Sequence, residues 1–345
     1  MVLRHHVNRV REITVNVSDL DKSIDFYESL TPLRAYSRTH ALAQPFPAFG
    51  VEEGSFTGAL LADSSSSQPG VSVHLVQWTS PAPSGRAYPS FFHQGLYRMC
   101  VLTNDVDGRY EEAVEAGHRS FLPPRGHGVS VPGGTEGSSF VCPDPDGVAV
   151  QTTRRPAPRR PDLPDQLYHV NIVSRDVDGS RRFLQEVLGL DYVKRLTSEK
   201  TISPIGFGLG ADSGRFDAAF LWHRGDQRFS IDIVDWFEPG VVGEPYASPF
   251  NVGIQRLGFE VDDIEAAAAA LREQVPADLR AQVHDPETWD LGDGRTRTCV
   301  QFRGPDGVAY ELIQQEPHTG ARDTPWPDEA FAQARAAREA EEARS

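Results

Sequence analysis

The chain repeats itself at an offset of about 158 residues, so it must fold as a duplicated scaffold. Tyr88-Pro-Ser-Phe-Phe-His-Gln-Gly-Leu-Tyr-Arg98 is matched by Tyr246-Ala-Ser-Pro-Phe-Asn-Val-Gly-Ile-Gln-Arg256, and Asp144-Pro-Asp-Gly-Val-Ala149 by Gly304-Pro-Asp-Gly-Val-Ala309. Most of a repeat serves packing. Matched places that carry different polar side chains are where function can have diverged.

A finer unit occurs twice within each half. It opens on an apolar strand, passes an Asp-rich turn that caps a helix, and ends in further strands. The strand Glu12-Ile-Thr-Val-Asn-Val17 leads into Ser18-Asp-Leu-Asp21 and a helix with Leu20, Ile24 and Tyr27 at helical spacing. The same order recurs from Arg98, from His169 and from Arg256, the last before an alanine-rich helix. Closing β runs are expected at 71–78, 147–152, 229–236 and 307–313. The reading is α+β, with four βαβββ units.

The segment Arg154-Arg-Pro-Ala-Pro-Arg-Arg-Pro-Asp-Leu-Pro-Asp165 holds four prolines and resists both helix and central strand, which makes it the natural boundary. The expected domains are 1–153 (units 8–80 and 95–153) and 166–316 (units 166–238 and 252–316), joined by the linker 154–165. A tail, 317–345, is expected to carry a surface helix. With 39% hydrophobic and 24% charged residues, the composition is that of a globular chain. A net charge of −15 argues against a nucleic-acid partner, which needs a basic face. No apolar run is long enough to span a membrane. Cytoplasmic residence and three reduced core cysteines (Cys100, Cys142, Cys299) are expected; homo-oligomerisation is left open.

Four copies of strand, Asp turn and helix, with Pro-Asp-Gly before the closing strand of each half, resemble the vicinal oxygen chelate superfamily. Its members include glyoxalase I, bleomycin-resistance proteins and extradiol dioxygenases. The resemblance covers roughly residues 8–316 and implies two half-open β-sheet cups, each made of two βαβββ units. It also implies that ligands lie on the first and last strand of each unit. Carried over, these places hold Glu12, His74, Arg98 and Gln151 in the N-terminal half, and His169, Asp232, Arg256 and Glu311 in the C-terminal half. The N-terminal cup is expected to be non-catalytic, with Glu12–Arg98 a structural pair.

The family's dioxygenases place a second His where this chain has Arg256, and a guanidinium has no lone pair to offer a metal. His169, Asp232 and Glu311 remain as a candidate set for Fe(II), Mn(II) or Mg(II). The resemblance therefore implies a dioxygenase-like, lyase or isomerase enzyme acting on a small phenolic, enolisable or carboxylate-bearing molecule. A second reading is a metal-free enzyme: Arg256 clamps an anionic oxygen while Glu311 or His169 moves a proton. A third is a binding protein that sequesters a drug or metabolite. Tyr246 is a candidate hydrogen-bond donor to substrate, and His223 a secondary candidate for proton transfer. All three readings expect His169, Asp232, Arg256 and Glu311 to converge in one concave sheet.

Overall fold

The computed structural model describes residues 2–63, 71–120, 123–126, 138–155, 164–197, 214–224, 226–292 and 294–314. All four units form. The first comprises β1 (Val7–Asn16), α1 (Leu20–Leu30), β2 (Leu33–Phe46), β3 (Val51–Asp63) and β4 (Ser72–Ser80). The second comprises β5 (Gly95–Thr103), α2 (Val106–Glu115), β6 (Arg125–Gly126), β7 (Ser138–Pro143) and β8 (Ala149–Arg154). In the third, β9 (Gln166–Val173) and α3 (Val177–Glu186) precede β10 (Asp191–Thr197), β11 (Arg215–His223) and β12 (Asp226–Glu238). In the fourth, β13 (Gly253–Val261) and α4 (Ile264–Gln274) precede β14 (Glu287–Asp290), β15 (Thr296–Arg303) and β16 (Ala309–Gln314). Linker residues 156–163 and the expected tail helix lie outside the described residues.

The Asp-rich turns act as the sequence suggests. Asp19, Asp105, Asp176 and Asp263 are the N-caps of the four helices, and each side chain accepts from the amide three residues on. The Pro-Asp-Gly turns need their glycines, since Gly147 and Gly307 sit at φ 95° and 76°. The Asp144 side chain accepts from the amides of Asp146 and Val148, and Asp306 accepts from Val308.

The strands form two eight-stranded mixed sheets, ordered β14-β15-β16-β13-β1-β4-β3-β2 and β10-β11-β12-β9-β5-β8-β7-β6. Each sheet therefore joins one unit from each half of the sequence: one with four, and two with three. This corrects the expectation that each half closes its own cup. Within a half, the units touch instead through helices and turns. Tyr27 of α1 donates to Asp144 at 3.2 Å, and Phe183 of α3 packs on Phe302 and Tyr310. The main apolar core lies between the helices and the convex faces of the sheets, with Ile13, Leu61, Leu75, Met99, Ile172, Ile231 and Leu257 among its members.

The first sheet nearly closes on itself. His40 N donates to Leu291 O at 3.0 Å, and the Gln44 amide exchanges two hydrogen bonds of 2.8 Å with the Asp290 backbone, tying β2 to β14. Phe46, Phe56, Trp78 and Trp289 fill one end of this barrel, with Phe49 and Phe250 packed against them. The second sheet has no such fastening among the described residues.

Candidate functional site

The nearly closed barrel holds a chain of buried ion pairs. Antiparallel pairing sets Glu12 opposite Gly258 and Thr14 opposite Arg256; parallel pairing sets Gly258 beside Glu311. Glu12, Arg256 and Glu311 thereby reach the same concave face. Arg297, from β15, grips Glu12 with two hydrogen bonds of 2.7 and 3.0 Å. Arg256 Nε donates to Glu311 at 3.2 Å, and Gln301 donates to the other Glu311 oxygen at 2.7 Å. His74 meets Glu12 at 3.4 Å through Nδ1 and the Thr39 hydroxyl at 3.1 Å through Nε2. The Arg256 guanidinium lies over the rings of Phe49 and Trp289.

Solvent is almost absent here: Glu12 is 1% exposed, Arg297 1%, and His74 and Glu311 0%. Burial opposes the charge on Glu12, but the Arg297 guanidinium and the His74 contact hold its carboxyl well below the usual range. Burial also lowers the His74 pKa, overriding the opposing pull of Glu12. The pairing of Glu12 is with Arg297, and the expected Glu12–Arg98 pair does not form because the two residues belong to different sheets.

The second cup is built differently. His169 pairs with Ser230 and Cys100, and Asn171 with Asp232 and Arg98, so all six line one face. His169 Nδ1 lies 3.3 Å from Asp232 Oδ2, and Ser230 donates to the other Asp232 oxygen at 3.0 Å. Burial pushes the Asp232 carboxyl up to about 7, against the Ser230 hydrogen bond and the charges of Arg98 and Lys194. Arg98 Nε donates to Asn171 at 3.1 Å, and its guanidinium lies over Phe91 and Tyr97.

A β-bulge between Leu96 and Arg98 makes Tyr97 the extra residue, which lets it join Arg98 on the concave side. Among the described residues its buried hydroxyl has no hydrogen-bond partner, and neither has Gln151 Oε1 or Trp236 Nε1. Gln151 Nε2 donates to Ser139. Phe92, Phe216, Val234 and Trp236 form the apolar wall. This is the mixture of apolar surface and a few convergent polar groups that small-molecule sites use.

The four candidates are therefore divided. His169 and Asp232 belong to the second sheet, with Arg98 and Gln151; Arg256 and Glu311 belong to the first, with Glu12 and His74. His223 ends β11 opposite Asp226, beyond the Trp222–Ser230 pair. Tyr246 sits in the seam between the sheets. It stacks on Tyr88 with ring centroids 3.9 Å apart, and its amide donates to the Tyr88 hydroxyl. Gly95 and Gly253 leave room for these rings, since a Cβ at either would lie 2.4 Å from a tyrosine oxygen.

The metal set His169, Asp232 and Glu311 spans two sheets and does not assemble. In the barrel, Glu12, His74 and Glu311 do share a face, but both carboxylates are engaged by guanidiniums and the fourth place is Arg256. The second cup offers His169 and Asp232 beside Arg98 and a neutral Gln151. Among the described residues, no three His, Cys, Asp or Glu side chains are grouped to hold an ion. The donor sets do not fit a divalent metal.

The family model described as Glyoxalase/Bleomycin resistance protein/Dioxygenase superfamily matches residues 5–152 and 166–312. The chain belongs to this superfamily. Glyoxalase I from Zea mays has the same fold, at 16% identity and a TM-score of 0.62, covering 90% of this chain and 94% of that one. A mutant form of the maize enzyme gives 17% and 0.63 over the same shares. A candidate dioxygenase from Bacillus subtilis gives 14% and 0.54, over 90% and 86%. No curated protein matches the chain.

As a Glyoxalase/Bleomycin resistance protein/Dioxygenase superfamily member, the chain has residues at its ligand places that sequence reasoning found, but with partners it missed. Arg297 is the main omission. With the halves aligned on their Pro-Asp-Gly turns, Gly137 stands at its place, so a charge appearing in only one copy was the available signal. Tyr97 was equally visible, since Gln255 occupies its matched position.

Proposed function

We propose that the chain is a superfamily enzyme that moves a proton on a small oxygenated molecule, without a bound metal, in the cup shared by units two and three. The observation that carries the reading is Asp232, whose carboxyl is pushed up to about 7 and faces His169 at 3.3 Å on the floor of that cup. A carboxyl that titrates near neutrality can accept and return a proton at working pH. His169 is placed to share it. Arg98 supplies fixed positive charge for an enolate, phenolate or carboxylate oxygen. The Tyr97 hydroxyl and Gln151 carbonyl, which have no partner among the described residues, add hydrogen-bonding capacity beside it.

This keeps the metal-free logic of an arginine beside an acid–base pair, but assigns it to Arg98 with Asp232 and His169. Arg256 and Glu311 are bonded to each other in a sealed interior. A panel of enolisable 2-oxo acids in D2O, with chelator present, tests the reading through deuterium uptake at the carbon next to the oxo group. Exchange should persist with chelator and fall by about 10²-fold or more in Asp232→Asn. Exchange that survives the substitution, or that the chelator abolishes, would refute it. Tight binding of a panel member without exchange would favour sequestration instead.

A further inference from the structure

We infer that Arg256 and Arg297 stand in the barrel in place of a divalent cation. The two carboxylates, Glu12 and Glu311, carry two negative charges on a face with almost no water. A lone buried carboxylate is costly enough that it would ordinarily take up a proton. The two guanidiniums supply the same total charge as one divalent ion, and arginine cannot lose its proton.

Geometry carries the argument further than charge. Arg256 occupies one of the four cup-facing places itself, so it removes a donor while providing the counter-charge. Its Nε bonds Glu311, and its guanidinium lies over the neighbouring rings of Phe49 and Trp289, a contact that holds it in place. Arg297 approaches from β15 and donates to both Glu12 oxygens. Gly258 lies between the two carboxylate positions, as neighbour to Glu12 on one side and Glu311 on the other. The barrel is thus a donor set locked from within. Its integrity is independent of metal, and it becomes a metal site when the guanidiniums leave.

The test uses the full chain and cobalt(II) alone. The unaltered protein should melt at the same temperature with cobalt, with chelator or with neither. The Arg256→His/Arg297→Met variant should melt lower without metal and recover most of the loss with one equivalent of cobalt. It should also gain a visible d–d absorption band that disappears when Glu311→Gln is added. If the variant folds only with cobalt present, refolding yield from urea with and without the ion gives the same answer. A folded variant that takes up no cobalt overturns the inference. So does an unaltered protein that cobalt stabilises through Glu311.

Discussion

Asp232 shows how one side chain's surroundings set its chemistry. An unfolded aspartate ionises near ~3.9, whereas burial holds this one at about 7. The folded state therefore keeps a proton that the unfolded state has lost, and stability falls as pH rises from about 4 to about 7. The total is on the order of 4 kcal/mol. Asp232→Asn should raise the urea midpoint at pH 8 and leave it nearly unchanged at pH 4. An equal effect at both pH values would show that ionisation is not the cause. Glu12, also buried, has the opposite sign because Arg297 grips it: its contribution is present above the unfolded pKa and lost as pH falls. Stabilisation by Asp232→Asn together with loss of exchange would be the usual exchange of stability for function.

The decisive elements are β1 and β13, whose pairing positions the barrel's charges. A Cβ added to Gly258 would lie 2.6 Å from Ile313 Cδ1 and 3.0 Å from Glu12 Cγ. Gly258→Ala should therefore destabilise the fold by about 1–3 kcal/mol, measured by chemical denaturation, with exchange in the other cup retained. An unchanged midpoint would mean that the strands give way freely there. The second cup has Cys100 in the corresponding place, opposite His169. The local grammar of these elements was legible: the Asp caps, the helix faces and the Pro-Asp-Gly turns depend on residues a few positions apart. The β-bulge at Tyr97 was not, because a bulge is a property of two strands, and its partner lies in another unit.

For the whole molecule, the consequence is that neither half owns a cup. Cleavage at a protease site introduced between Arg155 and Pro164 should leave two fragments that co-elute as one particle and separate only in denaturant. Fragments that part without denaturant would contradict the crossed pairing seen in both sheets.

The sequence by itself determined the four units and their order, because apolar periodicity and turn chemistry are local; the cup-facing positions came from the family resemblance. Only the tertiary structure decided which unit's first strand pairs with which. Those strand edges offer the same backbone hydrogen bonds to either partner, so patterning cannot rank the choices. A side chain distant in sequence helps rank them: buried Glu12 needs Arg297. That choice separated His169 and Asp232 from Arg256 and Glu311, leaving one cup sealed by its own charges and the other with polar groups that have no partner among the described residues.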